Sequence, residues 1–272
     1  VRLVKKSVNM KYKINTISKK LLADTLTPVN IYLKLRDVFA TSILLESSDY
    51  HGHENSLSFI CCEPLASFQV AGSEAEMRFP DGTSKKVALS KTGQAGELLE
   101  EFRTSFESTD HAAKYAMSGL FGYMAYDAIR FFEDVSITRG KAFIPDILYK
   151  LYRYVIVVDH FSNELTISQN SVEDVAYGKD GLDRIEQIIF SNRFATYKFA
   201  LTNGEESNFT DQEFLQVIVK GKEHCYRGDV IQIVLSRRFS CGFKGDEFNV
   251  YRALRSINPS PYLFYFDYGS FK

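Results

Sequence analysis

The stretch LYKLYRYVIVVDHFSNELTIS, Leu148 to Ser168, sets the frame for the whole chain. Leu148 to Asp159 reads as one strand and Leu165 to Ser168 as a second, around the turn His160 to Asn163. The apolar run Tyr154 to Val158 is strand-sized, and no run in the sequence reaches the roughly 20 apolar residues that span a bilayer.

Further elements are predicted on both sides of this pair. Upstream, Gly119 to Tyr126 is glycine-rich and aromatic, and glycines inside a strand mark a bulge or a close approach of backbones. Asp127 opens a short helix with Ile129 and Phe132 on one face. Met77 to Leu89 reads as a hairpin turning at Asp81-Gly82, and Glu97 to Phe106 has helical spacing. A strand begins near Ser58-Phe59-Ile60, and another runs from Ser42 to Glu46. The first element is predicted at Thr27-Pro28, a capping residue followed by a proline whose missing N–H costs nothing there.

Downstream, Asp183 to Arg193 reads as an amphipathic helix, and the polar stretch Thr202 to Asn208 as a linker. Thr210 and Glu213 form a capping box for a helix that ends at Gly228. Val230 to Ser240 alternates as a strand, with Ile231, Ile233 and Leu235 on one face and Gln232, Val234 and Ser236 on the other. Asp246 caps a last helix, Asn258-Pro259 stops it, and Pro261 to Gly269 is extended.

The composition is that of a globular protein: 45% hydrophobic, 25% charged, with 22 Phe, 16 Tyr and no Trp among 272 residues. A net charge of -1 supplies no global field for nucleic acid or an anionic membrane. Cys61, Cys62, Cys225 and Cys241 form no metal-ligand or disulfide pattern, so buried free thiols in a cytoplasmic protein are expected. The sequence lacks GxGxxG, P-loop, GxSxG and HExxH motifs. His51 and His53 read as a solvated loop, and Lys85-Lys86 and Arg237-Arg238 as solvated basic pairs.

Three segments carry possible chemistry. Leu44-Leu45-Glu46-Ser47 delivers a carboxylate and a hydroxyl at a strand end, a pair suited to an ammonium group. A glutamate so placed is ordinarily solvated, and local sequence favours that reading. Asn258-Pro259-Ser260-Pro261-Tyr262-Leu263-Phe264 is a stiff, aromatic segment, preorganised to grip a flat ligand and equally suited to being a helix stop before a core strand. Gly228 to Phe239 places Gln232 and Ser236 on one strand face, and a buried Gln there needs hydrogen-bond partners.

Together with Thr27-Pro28-Val29, Ser58-Phe59-Ile60 and the segment GLFGYMAYDAIRFFE from Gly119 to Glu133, these segments resemble anthranilate synthase component I. The motifs stand in the family's order over nearly the whole chain, and the pairing of LLES with NPSPY points to the anthranilate branch of the chorismate-using enzymes. The resemblance implies an α+β fold of two mainly antiparallel sheets packed as a sandwich with helices outside. It implies that residues 1–205 are the N-terminal region and that residues 206–272 begin the chorismate-binding region. It further implies conversion of chorismate to anthranilate with Mg2+, ammonia from a glutamine amidotransferase subunit, and feedback inhibition by L-tryptophan.

The family's catalytic and Mg2+-binding motifs have no match here, so the resemblance makes this chain an N-terminal fragment, with those ligands expected beyond Lys272. The unfinished helix–strand alternation at the end and the absence of an initiator Met agree with a piece of a longer protein. The inhibitor site is implied at Glu46, Ser47, Ser56, Asn258, Pro259, Pro261, Tyr262, Leu263 and Phe264. Glu46 would take the tryptophan ammonium across a cleft between sheets, and the rings near Tyr262 would enclose the indole. Departures from the family's pattern are Cys61 in place of a frequent Gly, Ser56 near a basic position, and Leu263 for a usual Met. Aminodeoxychorismate synthase component I and a non-enzymatic amino-acid-binding module are the competing readings.

Overall fold

The computed structural model describes residues 11–47, 56–109, 117–137, 143–177 and 181–272. His51 and His53 lie outside the described residues. The chain divides into two compact units, Val1–Ala195 with Asn258–Lys272, and Thr196–Ile257.

In the first unit the strands are β1 (Tyr12–Leu22), β2 (Ile43–Ser47), β3 (Leu57–Ala71), β4 (Glu74–Arg78), β5 (Ser84–Ala88), β6 (Phe106–Ser108), β7 (Leu120–Met124), β8 (Ile147–Asp159) and β9 (Glu164–Val172). Its helices are α1 (Pro28–Leu35), α2 (Gln94–Thr104) and α3 (Leu182–Phe190). The second unit holds β10 (Phe199–Leu201), β11 (Glu206–Ser207), α4 (Asp211–Arg227), β12 (Phe239–Ser240), β13 (Phe243–Gly245) and α5 (Phe248–Ile257). The chain then returns to the first unit as β14 (Tyr262–Phe266).

The stretch quoted first forms the β8–β9 hairpin, paired from Asp159↔Glu164 to Tyr154↔Gln169. The Asp159 carboxylate closes the turn by accepting from the N–H groups of Phe161 and Ser162 at 3.0 and 3.1 Å. β3 runs antiparallel along nearly all of β8, with its register shifting between Pro64 and Ala66. That irregularity tolerates a proline, which cannot donate to a regular ladder. Beside it, Arg153 Nη1 donates to Glu63 Oε1 at 2.8 Å, and its guanidinium lies over the rings of Tyr154 and Tyr177.

β3 and β8 belong to two limbs of one ten-stranded, mainly antiparallel network. One limb runs β14-β2-β3-β8-β9-β1-β6; β4 and β5 extend from the far half of β3, and β7 from that of β8. The hairpin β4–β5 folds back over β1 and β6. Tyr12 stacks on Phe79 and Phe106, and its hydroxyl donates to Asp81 Oδ2 at 2.9 Å. Phe68, Met77, Phe102, Ile147 and Leu151 pack between these layers, so α2 and two sheet layers share one core. A second core gathers Ile43, Cys61, Tyr152, Val155 and Tyr268. α1 packs on β2 and β3, α3 on β9, and the two helices touch each other. The architecture is α+β and sheet-dominated, with the two layers joined through shared strands.

Local chemistry explains the elements that match the sequence reading. Thr27 Oγ1 accepts from Asn30 N–H at 3.1 Å and starts α1. The Thr210–Glu213 capping box is complete, and Gly228, at φ 78°, closes α4. Gly122 in β7 lies so close to β8 that an added Cβ would sit 1.9 Å from the Leu148 carbonyl oxygen.

Four readings are corrected. The first element is β1, not α1. Its Thr16 bonds Asn170 at 2.7 Å and its exposed Ser18 bonds Ser168 at 2.7 Å, so hydrophobic alternation is absent. The helix expected to reach Phe106 ends at Thr104, and Phe106 enters β6. The strand expected over Val230 to Ser240 is reduced to Phe239–Ser240, because residues 230–237 find no ladder partner among the described residues, and Gln232 is exposed. Cys61 and Cys62 are buried free thiols, whereas Cys225 and Cys241 are exposed.

Within the second unit, β10 pairs with β13 and β11 with β12, both antiparallel. The polar stretch 202–208 lies inside this unit, spanning β11. Asp246 accepts from Phe248 N–H at 3.1 Å at the start of α5. Among the described residues, no helix is long and apolar enough to cross a membrane.

Candidate functional site

α5 ends at Ile257, one residue before the Asn258-Pro259 step. A residue before proline is held out of the helical region, so the chain leaves the helix there and enters β14. β14 pairs antiparallel with β2 in the register Tyr262↔Ser47, Leu263↔Glu46, Phe264↔Leu45, Tyr265↔Leu44 and Phe266↔Ile43. The two segments singled out in the sequence are therefore neighbouring strands of one sheet. The expected cleft between separate sheets is replaced by a shared ladder, because antiparallel pairing satisfies both backbones directly.

Side-chain alternation then divides the candidates between the two faces. Leu44, Glu46, Leu263 and Tyr265 share the face under α1, where the rings of Tyr32 and Tyr265 are 5.7 Å apart. Ser47, Tyr262 and Phe264 share the other face, with Phe264 packed along the sheet against Phe266 at 5.0 Å. The rings of Tyr262 and Phe264 are thus not on the Glu46 side of the sheet, and both are exposed.

Glu46 is only 4% exposed. This overturns the local reading of a solvated strand-end carboxylate. A buried carboxylate keeps its charge at low cost only where charged or hydrogen-bonding groups surround it.

The β2–β3 register of Leu44↔Ile60 and Leu45↔Phe59, continued by one residue, sets Ser58 beside Glu46. Ser58 is fully buried, and its Oγ lies 2.7 Å from His160 Nε2. Ser56 is buried two residues earlier in the chain, and its carbonyl accepts from His160 N–H at 3.0 Å.

The end of β2, the start of β3, the end of β8 and the start of β14 meet at one end of the sheet. Of the residues predicted for the site, Glu46, Ser47, Tyr262 and Leu263 lie on the paired strands at that end, divided between its two faces. Asn258, Pro259 and Pro261 are exposed on the approach to β14. Sequence reasoning missed Ser58 and His160 as site neighbours. The available signal was a histidine immediately following a long apolar strand, beside the serine of the SFI motif.

Titrating groups elsewhere in the first unit are shaped by burial. Lys34 of α1 is pushed down by desolvation, and its Nζ donates to the Ile189 carbonyl at 2.6 Å. Desolvation pushes the Tyr123 hydroxyl up to about 12 and raises the Cys61 and Cys62 thiols far above their usual range. Among the described residues no group of three or more His, Cys, Asp or Glu is placed to hold a metal ion, so the residues present do not fit a magnesium site. A separate cavity of about 490 Å³, lined by Ile14, Arg103, Phe106, Ser108 and Leu151 among others, contains none of the predicted site residues.

The family profile described as chorismate binding enzyme matches residues 42–272, a span that begins one residue before β2 and contains every predicted site residue. The chain belongs to the chorismate binding enzyme family.

Three relatives share one name. The anthranilate synthase component 1 of Aquifex aeolicus is 30% identical over 290 residues, covering 96% of this chain and 54% of that protein. Those of Thermus thermophilus and Lactococcus lactis are 28% and 27% identical, covering 94% and 93% of this chain and 54% and 55% of those proteins. The crystal structure of anthranilate synthase component I from Streptococcus pneumoniae TIGR4 aligns at a TM-score of 0.49 and 20% identity, covering 92% of this chain and 55% of that one. The chain spans about half the length of the curated relatives it matches.

Proposed function

We propose that this chain is the inhibitor-binding part of an anthranilate synthase component I, and that the β2–β14 end of the sheet receives L-tryptophan. The observation that carries this reading is a buried carboxylate, Glu46, directly opposite Leu263 on a strand that follows directly on Pro261. Glu46 accepts the ligand's ammonium group in charge-assisted hydrogen bonds, worth about 1.5–3 kcal/mol. Leu263 supplies an apolar wall on the same face, and the Pro261 and Tyr262 backbone borders it. Burying an indole contributes about 4–6 kcal/mol by area. After association costs, micromolar affinity, about -8 kcal/mol, is the upper expectation.

In this reading the whole protein converts chorismate to anthranilate with ammonia from a glutamine amidotransferase subunit, in the cytoplasm. The name shared by the relatives supports that activity. The chain's own residues bind the inhibitor and carry no catalytic step, and no Mg2+ step is assigned to them. Inhibition requires that tryptophan bind one arrangement of the sheet better than another.

The chain has no Trp, so the emission of added L-tryptophan can be followed without interference from protein indole. A saturable change with the folded chain, lost in Glu46→Ala, is the expected result. Saturation of equal affinity in Glu46→Ala removes Glu46 from the site, and no change at all removes the site.

A further inference from the structure

Four neighbouring strands carry one row of side chains across the end of the first unit's sheet. Leu263 of β14 stands opposite Glu46 of β2, and Ser58 of β3 stands opposite Val158 of β8. The β2–β3 register, continued by one residue, joins the two pairs through Glu46 and Ser58. Directly opposite residues of antiparallel strands share a face, with Cβ atoms about 4.5–5.5 Å apart. His160 follows Val158 by two residues, and its N–H bond to the Ser56 carbonyl carries the β3–β8 ladder on. Alternation therefore returns His160 to the same face, diagonal to Ser58.

Glu46 and Val158 are buried and Ser58 is fully buried, whereas His160 is exposed. A fully buried hydroxyl requires hydrogen-bond partners. One partner is His160, whose Nε2 lies 2.7 Å from Ser58 Oγ. The chemistry of the row sets the order of its protons. An ionised carboxylate only accepts, whereas a hydroxyl both donates and accepts. A Ser58 hydroxyl turned to Glu46 therefore donates to it and accepts the Nε2 proton of His160. Such a bond is charge-assisted, and it fixes the rotation of the carboxylate.

We infer that Ser58 and His160 are positioning residues for Glu46: His160 orients the Ser58 hydroxyl, and Ser58 holds one Glu46 oxygen so that the other meets the ligand's ammonium group. This inference rests on the reading of Glu46 as the ammonium acceptor. It assigns to the Ser58–His160 pair a part in selecting ligands that carry an ammonium group.

The test compares L-tryptophan with indole-3-propionate, which keeps the indole and the carboxylate and lacks the ammonium group. Both are followed by their own indole emission, since the chain has no Trp. The parent should prefer tryptophan, and Glu46→Gln should remove the preference. Ser58→Ala and His160→Ala should each weaken tryptophan about three- to tenfold and leave indole-3-propionate unchanged. His160→Gln, whose amide N–H reaches the Nε2 position, should restore the parent's affinity. Adding Ser58→Ala to Glu46→Gln should change tryptophan affinity by less than about twofold, as expected when both act through one carboxylate. The exposed His160 keeps the question decidable should Ser58→Ala fail to fold. Equal weakening of both ligands, or unchanged tryptophan affinity in the His160→Ala chain, overturns the inference and leaves the tryptophan site standing. A folded parent that binds neither ligand, or shows no preference, overturns the inference and the reading of Glu46 together.

Discussion

Glu46 and Leu263 stand directly opposite each other on neighbouring antiparallel strands, although 217 positions separate them in the chain (263 minus 46). The pairing unites two segments that were weak signals apart. It also places a buried carboxylate against an apolar side chain that arrives only after the second unit has been traversed.

Replacing Glu46 by Gln keeps the shape of the side chain and removes its charge. Tryptophan affinity should fall about 10- to 100-fold, the loss expected for charge-assisted hydrogen bonds. Calorimetric titration of both proteins checks this, with circular dichroism showing that the fold is retained.

Changes at Leu263 test the opposite strand. Leu263→Met preserves volume and should bind tryptophan within a few-fold of the parent. Leu263→Glu sets a like charge directly across from Glu46, which is destabilising in an antiparallel pair. Loss of binding is expected, together with a urea midpoint lower than that of Leu263→Met.

Gly122→Ala should destabilise the first unit by about 1–3 kcal/mol or more, because the new methyl group meets the Leu148 carbonyl and forces backbone to shift. Urea unfolding of the two proteins measures the difference. An unchanged midpoint would show that β7 and β8 do not approach as closely as described.

The cysteines should titrate in two classes. Cys225 and Cys241 are exposed and should react with a thiol reagent in the native protein. Cys61 and Cys62 are buried, with thiols held neutral by desolvation, and should react only in denaturant, even at a pH of about 9.

Much of this fold was legible from local signals. Thr27, the Thr210–Glu213 pair and Gly228 announced helix ends because their capping chemistry is local. The β8–β9 hairpin was legible because apolar runs flank a short polar turn. β1 was not, since Thr16 and Ser18 face Asn170 and Ser168 where apolar residues would have signalled a strand. The proposed site could be read as residue types but not as geometry. Nothing local tells Glu46 that Leu263 is its neighbour, or that Ser47 and Tyr262 face the other way. The burial of Glu46 ran against its local sequence, since α1, β3 and β14 cover it from elsewhere in the chain.

The most direct measurement is amide exchange of the chain with and without saturating L-tryptophan. Slowed exchange confined to residues 45–47, 56–58 and 258–264 is the expected result, weakened in Glu46→Gln. Protection elsewhere, or none at a concentration that saturates the indole signal, would contradict the placement of the inhibitor at the β2–β14 end of the sheet.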